Sequence, residues 1–533
     1  MHCADVVHAV LLAALIDLDA PPSAMTATTA HLSDVLKSHD AAVGHRPAGA
    51  PDNSIEDWTF VGDGQHGTEH VQRAGTDYAS QITRGPFTES YGQFDGARWH
   101  RDYNGFTSTT FSEEYETFLP LRVLALLEDP KNDVSLKGET TDPSAEYVIE
   151  VKRPQHRHPD WVFVDKATYL IDRVEIASGK RRLVSTYSDY RSTDGLREPW
   201  HIHDADGRAQ LDYDWQRTRL SHPATMSFSL FAPPASAPTI ALGFAADTAL
   251  PVKMYYGQFI VRLSVQGRGL DFLIDSASAT SYIDRDVAQE LSLPTYDALT
   301  QLNDGTPLDY MTRLDAATVG PLLFRNFVLE STQYDYQVSD ETKVVGVLGY
   351  DFLAGVVLHM NYQDGTAELI PRDRFAGATP VAGAYQIPIV MDDGRPMVPM
   401  GIGEDVSQRA VLDTAMPFTI VTGPYIDKHG SDFTDLPHQD HKSAIVPFAD
   451  DSSYGTAASV WLTQVSHLRF GPADYQKYIV VATNFPFGGS DDDADAIVGI
   501  PYLAFFDVYL DYANQRVLLK PNASFFKIFH PAK

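Results

Sequence analysis

The sequence predicts a mainly β protein in two parts: an N-terminal curved antiparallel sheet with one helix, then a two-lobed β domain made by internal duplication. Three observations predict it. Asx-Gly pairs at Asp63-Gly64, Asp95-Gly96, Asn104-Gly105, Asp194-Gly195 and Asp206-Gly207 punctuate the first part, and such pairs suit tight hairpins. Two later stretches, Leu273-Ile274-Asp275-Ser276-Ala277 and Val411-Leu412-Asp413-Thr414-Ala415, are near copies. Each is followed by a hydrophobic-hydrophobic-glycine turn, Val347-Leu348-Gly349 and Ile497-Val498-Gly499.

The elements follow in order. Residues Leu32 to Val43 read as a short amphipathic helix ended by Gly44 and Pro47. Strands such as Trp161 to Val164 and Tyr169 to Ile176 then alternate with the turn signals. Proline and alanine dominate Phe231 to Pro238, which reads as a boundary. Beyond it the chain repeats. Leu353-Ala354 leads through Asn361-Tyr362 to Pro371, and Leu503-Ala504 leads through Asp511-Tyr512 to Pro521, at a constant offset of 150 residues. The two aspartates are 138 apart, so the second half carries longer loops between its motifs. The resulting division is 1–30 as a signal or extension, 31–232 as the antiparallel β domain, 233–250 as a linker, and 251–375 and 376–533 as the two lobes.

Composition bounds the function. A chain of 533 residues with 44% hydrophobic residues builds more than one core. The formal net charge of −30 disfavours nucleic acid and anionic membrane as partners, since both need a basic face. The one cysteine, Cys3, excludes an intrachain disulfide and any Cys-cluster metal site. The apolar run Ala9 to Ile16 is too short to span a bilayer, so a transmembrane protein is not expected. It has the length of a signal-peptide core, which favours a periplasmic or secreted location; a helical extension of a cytoplasmic protein is the alternative.

Two carboxylates held close cannot easily both ionise. The ionised one can take a proton from water while the protonated one polarises a substrate carbonyl. Asp275 and Asp413 are therefore the candidate catalytic residues, acting on a peptide or protein substrate with no cofactor and no metal. Ser276 and Thr414 would hold the aspartate loops rigid, and Gly349 and Gly499 would close the turns behind them. Both motifs lie in one chain, so a monomer suffices to build the site.

These residues resemble the aspartic proteases of the retropepsin and pepsin type, whose motif is Asp-Thr/Ser-Gly with a later hydrophobic-hydrophobic-Gly turn. The resemblance covers roughly residues 250–522 and implies a two-lobed β-barrel fold and peptide hydrolysis. The chain departs from the motif at Ala277 and Ala415, where the family has glycine. A methyl there would crowd the catalytic water, or shift the loop if the turn needs a positive φ. The alternative is a catalytically silent binding module. The family also covers its cleft with a hairpin flap; the candidates are Asn303 to Thr306, with Tyr310 nearby, and Ala449 to Gly455.

The N-terminal half resembles lipoprotein-carrier (LolA-like) domains. The residues that carry this are Gly92 to Trp99, Tyr169 to Val174, and Thr186 to Arg191 with Gly195-Leu196 and Pro199. The resemblance implies a sheet wrapped around a helix, with lipid or lipoprotein as a possible partner. A β domain that merely positions the other half is the alternative.

Three further motifs are discounted. His156/His158 and His201/His203 each suggest two imidazoles on one strand face, but neither pair has a third ligand. Asp204 to Gly207 opens like a calcium loop, yet its twelfth position is Trp215 rather than a glutamate. The run Asp491 to Asp495 reads as a solvated loop.

Overall fold

The computed structural model describes residues 25–529 except 45–52, 63, 111–122, 124–125, 128, 142, 155–157, 179–180, 206, 208–211, 244–247, 302–306, 335, 340–341, 377–380, 393, 437–441, 445–457 and 484–493. The apolar run at 9–16, Asp63, Asp206 and both flap candidates lie outside the described residues. The chain divides into two compact units, Met1–Arg46 with Phe118–Gly207, and Pro47–Thr117 with Arg208–Lys533.

The first unit holds helix Leu32–Val43 and six antiparallel strands. The helix spans Leu32–Val43 and buries Val35, His39 and Val43, which recur every four residues along one face. Gly44 ends it at φ 92°, where a Cβ would meet the Gly195 carbonyl oxygen at 2.3 Å. The strands follow one another as Leu196–Ala205, Arg181–Thr193, Ile171–Ser178, Asp160–Asp165, Glu146–Lys152 and Asp133–Thr140. Asp194-Gly195 forms the expected two-residue turn, with both φ values positive and Thr193 opposite Leu196. The strand expected from Tyr169 starts instead at Ile171. Tyr169 sits at φ 58° in a turn that the Asp165 carboxylate holds by accepting from the N–H of Ala167 and Thr168. His201 and His203 share one strand, whereas His158 precedes Asp160–Asp165.

The second unit begins with an antiparallel ribbon. Its order is Tyr213–Ser221, Asn53–Gly62, Gln65–Ala74, Asp77–Arg84, Phe87–Phe94, Ala97–Arg101 and Thr107–Thr110. Asp95-Gly96 is a tight hairpin turn with Phe94 opposite Ala97. Asn104-Gly105 is not. Arg101 pairs with Thr107, so residues 102–106 fill a wider turn, and Asn104 is 2% exposed. Its side chain is committed to the site described below.

The lobes come next. A ten-stranded sheet from Ala241–Gly243 to Thr342–Leu348 forms the first, and a nine-stranded sheet from Val390–Asp392 to Ala496–Val498 forms the second. A six-stranded sheet draws three strands from each half, in the order Thr248–Ala249, Thr366–Pro371, Val356–Asn361, Phe506–Asp511, Arg516–Pro521 and Tyr385–Pro388. The two short strands Ala241–Gly243 and Thr248–Ala249 fall within the stretch read as a linker.

The repeat is visible residue by residue. Helices Tyr350–Leu353 and Ile500–Leu503 and the strands that follow them keep the 150-residue offset. At the centre of the six-stranded sheet His359 pairs with Tyr509, its own counterpart. A residue can face its counterpart only on a twofold axis, so the pseudo-twofold passes between these two. Their rings stack at 4.1 Å and 4°. One apolar core crosses the axis, joining Phe259, Phe324 and Phe352 to Tyr502, Phe506 and Val508.

The two motif glycines are required by space, not by φ. Gly349 and Gly499 have φ −101° and −100°. A Cβ on Gly349 would meet the Ser278 and Thr280 carbonyl oxygens at 2.5 and 2.7 Å. On Gly499 it would meet those of Phe418 and Met416 at 2.1 and 2.5 Å. Backbone cannot yield as a flexible side chain does. Gly499→Ala is expected to destabilise the protein by about 1–3 kcal/mol, read by urea denaturation. Gly430→Ala, where nothing lies within 4 Å, should stay within about 0.5 kcal/mol; equal losses would refute the steric account.

Candidate active site

Parallel pairing sets each aspartate beside its glycine turn. Strand Arg268–Ile274 runs parallel to Thr342–Leu348, and Asp405–Leu412 runs parallel to Ala496–Val498. The Asp275 N–H then donates to the Leu348 carbonyl at 3.1 Å, and the Asp413 N–H to that of Val498 at 3.0 Å.

The next residues tie the two loops together. The Ser276 N–H donates to Thr414 Oγ1 and the Thr414 N–H donates to Ser276 Oγ, each at 3.0 Å. Each hydroxyl donates onward across the axis, Ser276 Oγ to the Leu412 carbonyl at 2.6 Å and Thr414 Oγ1 to that of Ile274 at 3.2 Å. Ser276 and Thr414 are 0% and 1% exposed. A buried donor or acceptor left unpaired costs about 1–3 kcal/mol, so the four bonds must form together. They bring both catalytic candidates to the axis.

Each carboxylate is held by its own loop. Asp275 Oδ1 accepts from the Ala277 N–H at 2.8 Å. Asp413 Oδ1 accepts from the Ala415 and Met416 N–H groups, each at 2.8 Å. Burial pushes Asp275 up to about 6, against the N–H groups of Ala277 and Ser278, which lower it. Burial, and then the charge on Asp275, push Asp413 well above the usual carboxylate range. The two groups therefore compete for ionisation, and the pair holds a proton to higher pH than a free aspartate.

The alanines are accommodated. Neither Ala277 nor Ala415 is among the described residues at positive φ. Each packs into the opposite lobe: Ala415 with Ile260, Leu273, Val344 and Val347, and Ala277 against Met397, Val411, Met416 and Ile497. The expected backbone shift is thus not needed, and the methyls contribute apolar contact between lobes.

Other residues support the site without any motif to reveal them. Gln258 donates to the Ala415 carbonyl at 2.8 Å and accepts from the Tyr336 hydroxyl at 2.7 Å. The buried Tyr512 hydroxyl donates to the Ser276 carbonyl at 3.1 Å. The repeat already marked Tyr512 and Tyr362 as counterparts, and that was the available signal. Asn104 reaches in from the ribbon. Its amide donates to the Val328 carbonyl at 2.9 Å and to Asp351 Oδ2 at 3.3 Å, and its oxygen accepts from the Val328 N–H at 3.0 Å. Asp351 accepts from the Ser281 N–H and hydroxyl, and Ser281 Oγ accepts from the Gly349 N–H at 2.8 Å. A turn in the ribbon thus braces the first glycine turn. Tyr310, offered with the flap, lies in strand Pro307–Val319 opposite Ser331.

Residues 261–352 match the family model described as aspartyl protease. The segment includes Asp275, Ser276 and Gly349 and stops short of Asp413. Here the C-terminal half has an aspartic-protease-like fold. Among solved structures, the chain is similar to soybean basic 7S globulin at 12% identity and TM-score 0.31, covering 54% of this chain and 97% of that one. It is also similar to a LolA superfamily protein from Nitrosomonas europaea at 11% identity and TM-score 0.31, covering 38% and 98%. A putative outer membrane lipoprotein-sorting protein domain from Vibrio parahaemolyticus matches at 11% and 0.27, covering 38% and 94%. Likenesses this distant bear on no functional point. No curated protein sequence matches the chain at a significant level.

A raised carboxylate pKa has a defined sign in stability. The folded pair binds more protons than the unfolded chain between about pH 4, the unfolded aspartate value, and the raised folded values. Stability therefore falls as pH rises through that window. Relative to wild type, Asp413→Asn is expected to gain on the order of 1–3 kcal/mol between pH 4.5 and pH 8. Urea midpoints at the two pH values measure it; a difference that does not change with pH would refute the coupling.

Proposed function

We propose that the C-terminal half is an aspartic-type endopeptidase in which Asp275 and Asp413 share one proton and activate water. The observation that supports this reading is the reciprocal hydrogen bonding of Ser276 and Thr414 across the pseudo-twofold axis, which holds the loops of Asp275 and Asp413 against each other. The ionised group takes a proton from water, and the water oxygen bonds to the peptide carbonyl carbon. The protonated group gives its proton to the carbonyl oxygen. As the tetrahedral intermediate collapses, the C–N bond breaks, the protonated carboxyl gives its proton to the leaving amide nitrogen, and the ionised one takes a proton from a hydroxyl of the intermediate, which restores the singly protonated pair. Electrons and protons balance without metal, cofactor or covalent intermediate. Activity should rise as pH climbs through about 6, where the first carboxyl of the pair ionises, and fall only at higher pH, where Asp413 loses the retained proton.

Asp275→Asn and Asp413→Asn should each lower peptide cleavage by about 100-fold or more. A variant that keeps the wild-type rate would overturn the mechanism. A silent binding module is the second reading, and the methyls of Ala277 and Ala415 favour it. The pair of substitutions Ala277→Gly and Ala415→Gly separates the two: hydrolysis gained from zero supports silence, whereas an active parent removes it.

An extracytoplasmic location and an acyl-chain or lipoprotein partner for the N-terminal half complete the proposal. They rest on the resemblance carried by Gly92 to Trp99, Tyr169 to Val174 and Thr186 to Arg191. Native mass spectrometry of the purified chain tests the partner; a chain that neither co-purifies with lipid nor takes up added fatty acid would sink it.

A further inference from the structure

Away from the dyad, a cavity of about 530 Å³ opens where the ribbon meets the first lobe. Small-molecule sites span roughly 300–1,000 Å³, whereas one water in the liquid takes about 30 Å³. The cavity thus has room for an organic molecule. Its floor is apolar and already packed. Phe87 and Val328 are buried and share a cluster with Met311, Tyr103 and Tyr296. The Phe87 ring meets Tyr296 edge-on at 4.7 Å and Tyr103 at 6.2 Å. A floor held this way needs no rearrangement to receive an apolar group.

One wall is polar by strand register. Gln81 lies opposite Ser90, and Ser90 opposite Arg101, so three neighbouring strands set these side chains in a row on one face. Glu89, next to Ser90, points to the other face, where Arg84 and His100 bond it. Arg313 enters from the first lobe, opposite Val328 in the strand pair.

The charge of the cavity departs from that of the chain. The whole sequence carries −30, yet the lining holds Arg101 and Arg313 against the single carboxylate of Asp102. That carboxylate is turned inward: Oδ1 accepts from the Phe106 N–H at 2.9 Å, and Oδ2 is buried. Among the described residues Arg101 has no carboxylate partner, and its Nη2 donates to the Ala237 carbonyl at 3.3 Å. Arg313 Nε donates to the exposed Asp315 at 3.1 Å, and an exposed pair restrains a side chain weakly. Its Nη groups make no hydrogen bond among the described residues.

We propose that this cavity binds an organic carboxylate with an apolar body, either a free acid or the carboxyl end of a peptide. Arg101 and Arg313 take its charge, Gln81 and Ser90 bond its polar atoms, and Phe87 and Val328 receive its apolar part. The planar N–H groups of guanidinium match a carboxylate in geometry and charge. An inorganic anion would leave the apolar floor bare. The two arginines come from the two elements that Asn104 joins, since Asn104 sits in the ribbon turn and bonds the Val328 backbone. A bound ligand therefore bridges the junction that braces the first glycine turn. This site is independent of the peptidase reading.

The test uses the full chain, titrated by calorimetry with phenylacetate, for free acids, and with N-acetylphenylalanine, for the carboxyl end of a peptide. Each acid is compared with its neutral amide. Wild type should bind at least one acid, and about 10-fold or more tighter than the matching amide. Whichever acid binds identifies the source of the carboxylate. Arg101→Met and Arg313→Met should each weaken that acid by about 10-fold or more. The proposal is overturned if neither acid binds, if the amide binds as well as the acid, or if both variants keep the wild-type affinity. The comparison of acid with amide needs no substitution, so it decides the matter even where a variant fails to fold.

Discussion

The four hydrogen bonds among Ser276, Thr414, Leu412 and Ile274 are the constraint on which the rest depends. Both hydroxyls are buried, and each must accept from one backbone N–H and donate to one carbonyl of the other loop. Neither loop can satisfy its own groups. The lobes are therefore locked at the level of the backbone, and the carboxylates one residue upstream inherit that rigidity. Proton sharing needs such rigidity, since it depends on two charges staying close.

Layers of support build outward from that lock. The glycine turns pass so close behind the aspartates that no side chain fits, which fixes the distance between turn and loop. Gln258 and Tyr512 hold the carbonyls of Ala415 and Ser276 from opposite lobes. The alanine methyls then fill the gaps between each loop and the opposite core. Departure from the family motif is thus part of the packing, and it stiffens the junction between lobes.

The sequence made the duplication legible because equivalent residues recur at a fixed offset, and an offset survives without knowledge of contacts. Helix Leu32–Val43 was legible from its apolar spacing and its glycine stop. Asx-Gly pairs marked two hairpins correctly at Asp95-Gly96 and Asp194-Gly195. Asn104-Gly105 misled for a physical reason. The same side chain that suits a tight turn also pairs with a strand backbone, and here Asn104 does so with Val328, far along the chain. Asp351, Ser281 and Gln258 were not legible either, because their importance lies in partners that only folding supplies.

The His359–Tyr509 stack has a consequence for how such a molecule can diverge. On a twofold axis a residue meets its own copy, so two identical halves would set histidine against histidine or tyrosine against tyrosine. Protonated histidines there would repel, and paired tyrosines would bury two hydroxyls side by side. A single chain carrying both halves escapes this, because each copy mutates alone. The stacked imidazole and phenol, nearly parallel at 4°, are a heterologous contact that a symmetric assembly of equal subunits is unable to make.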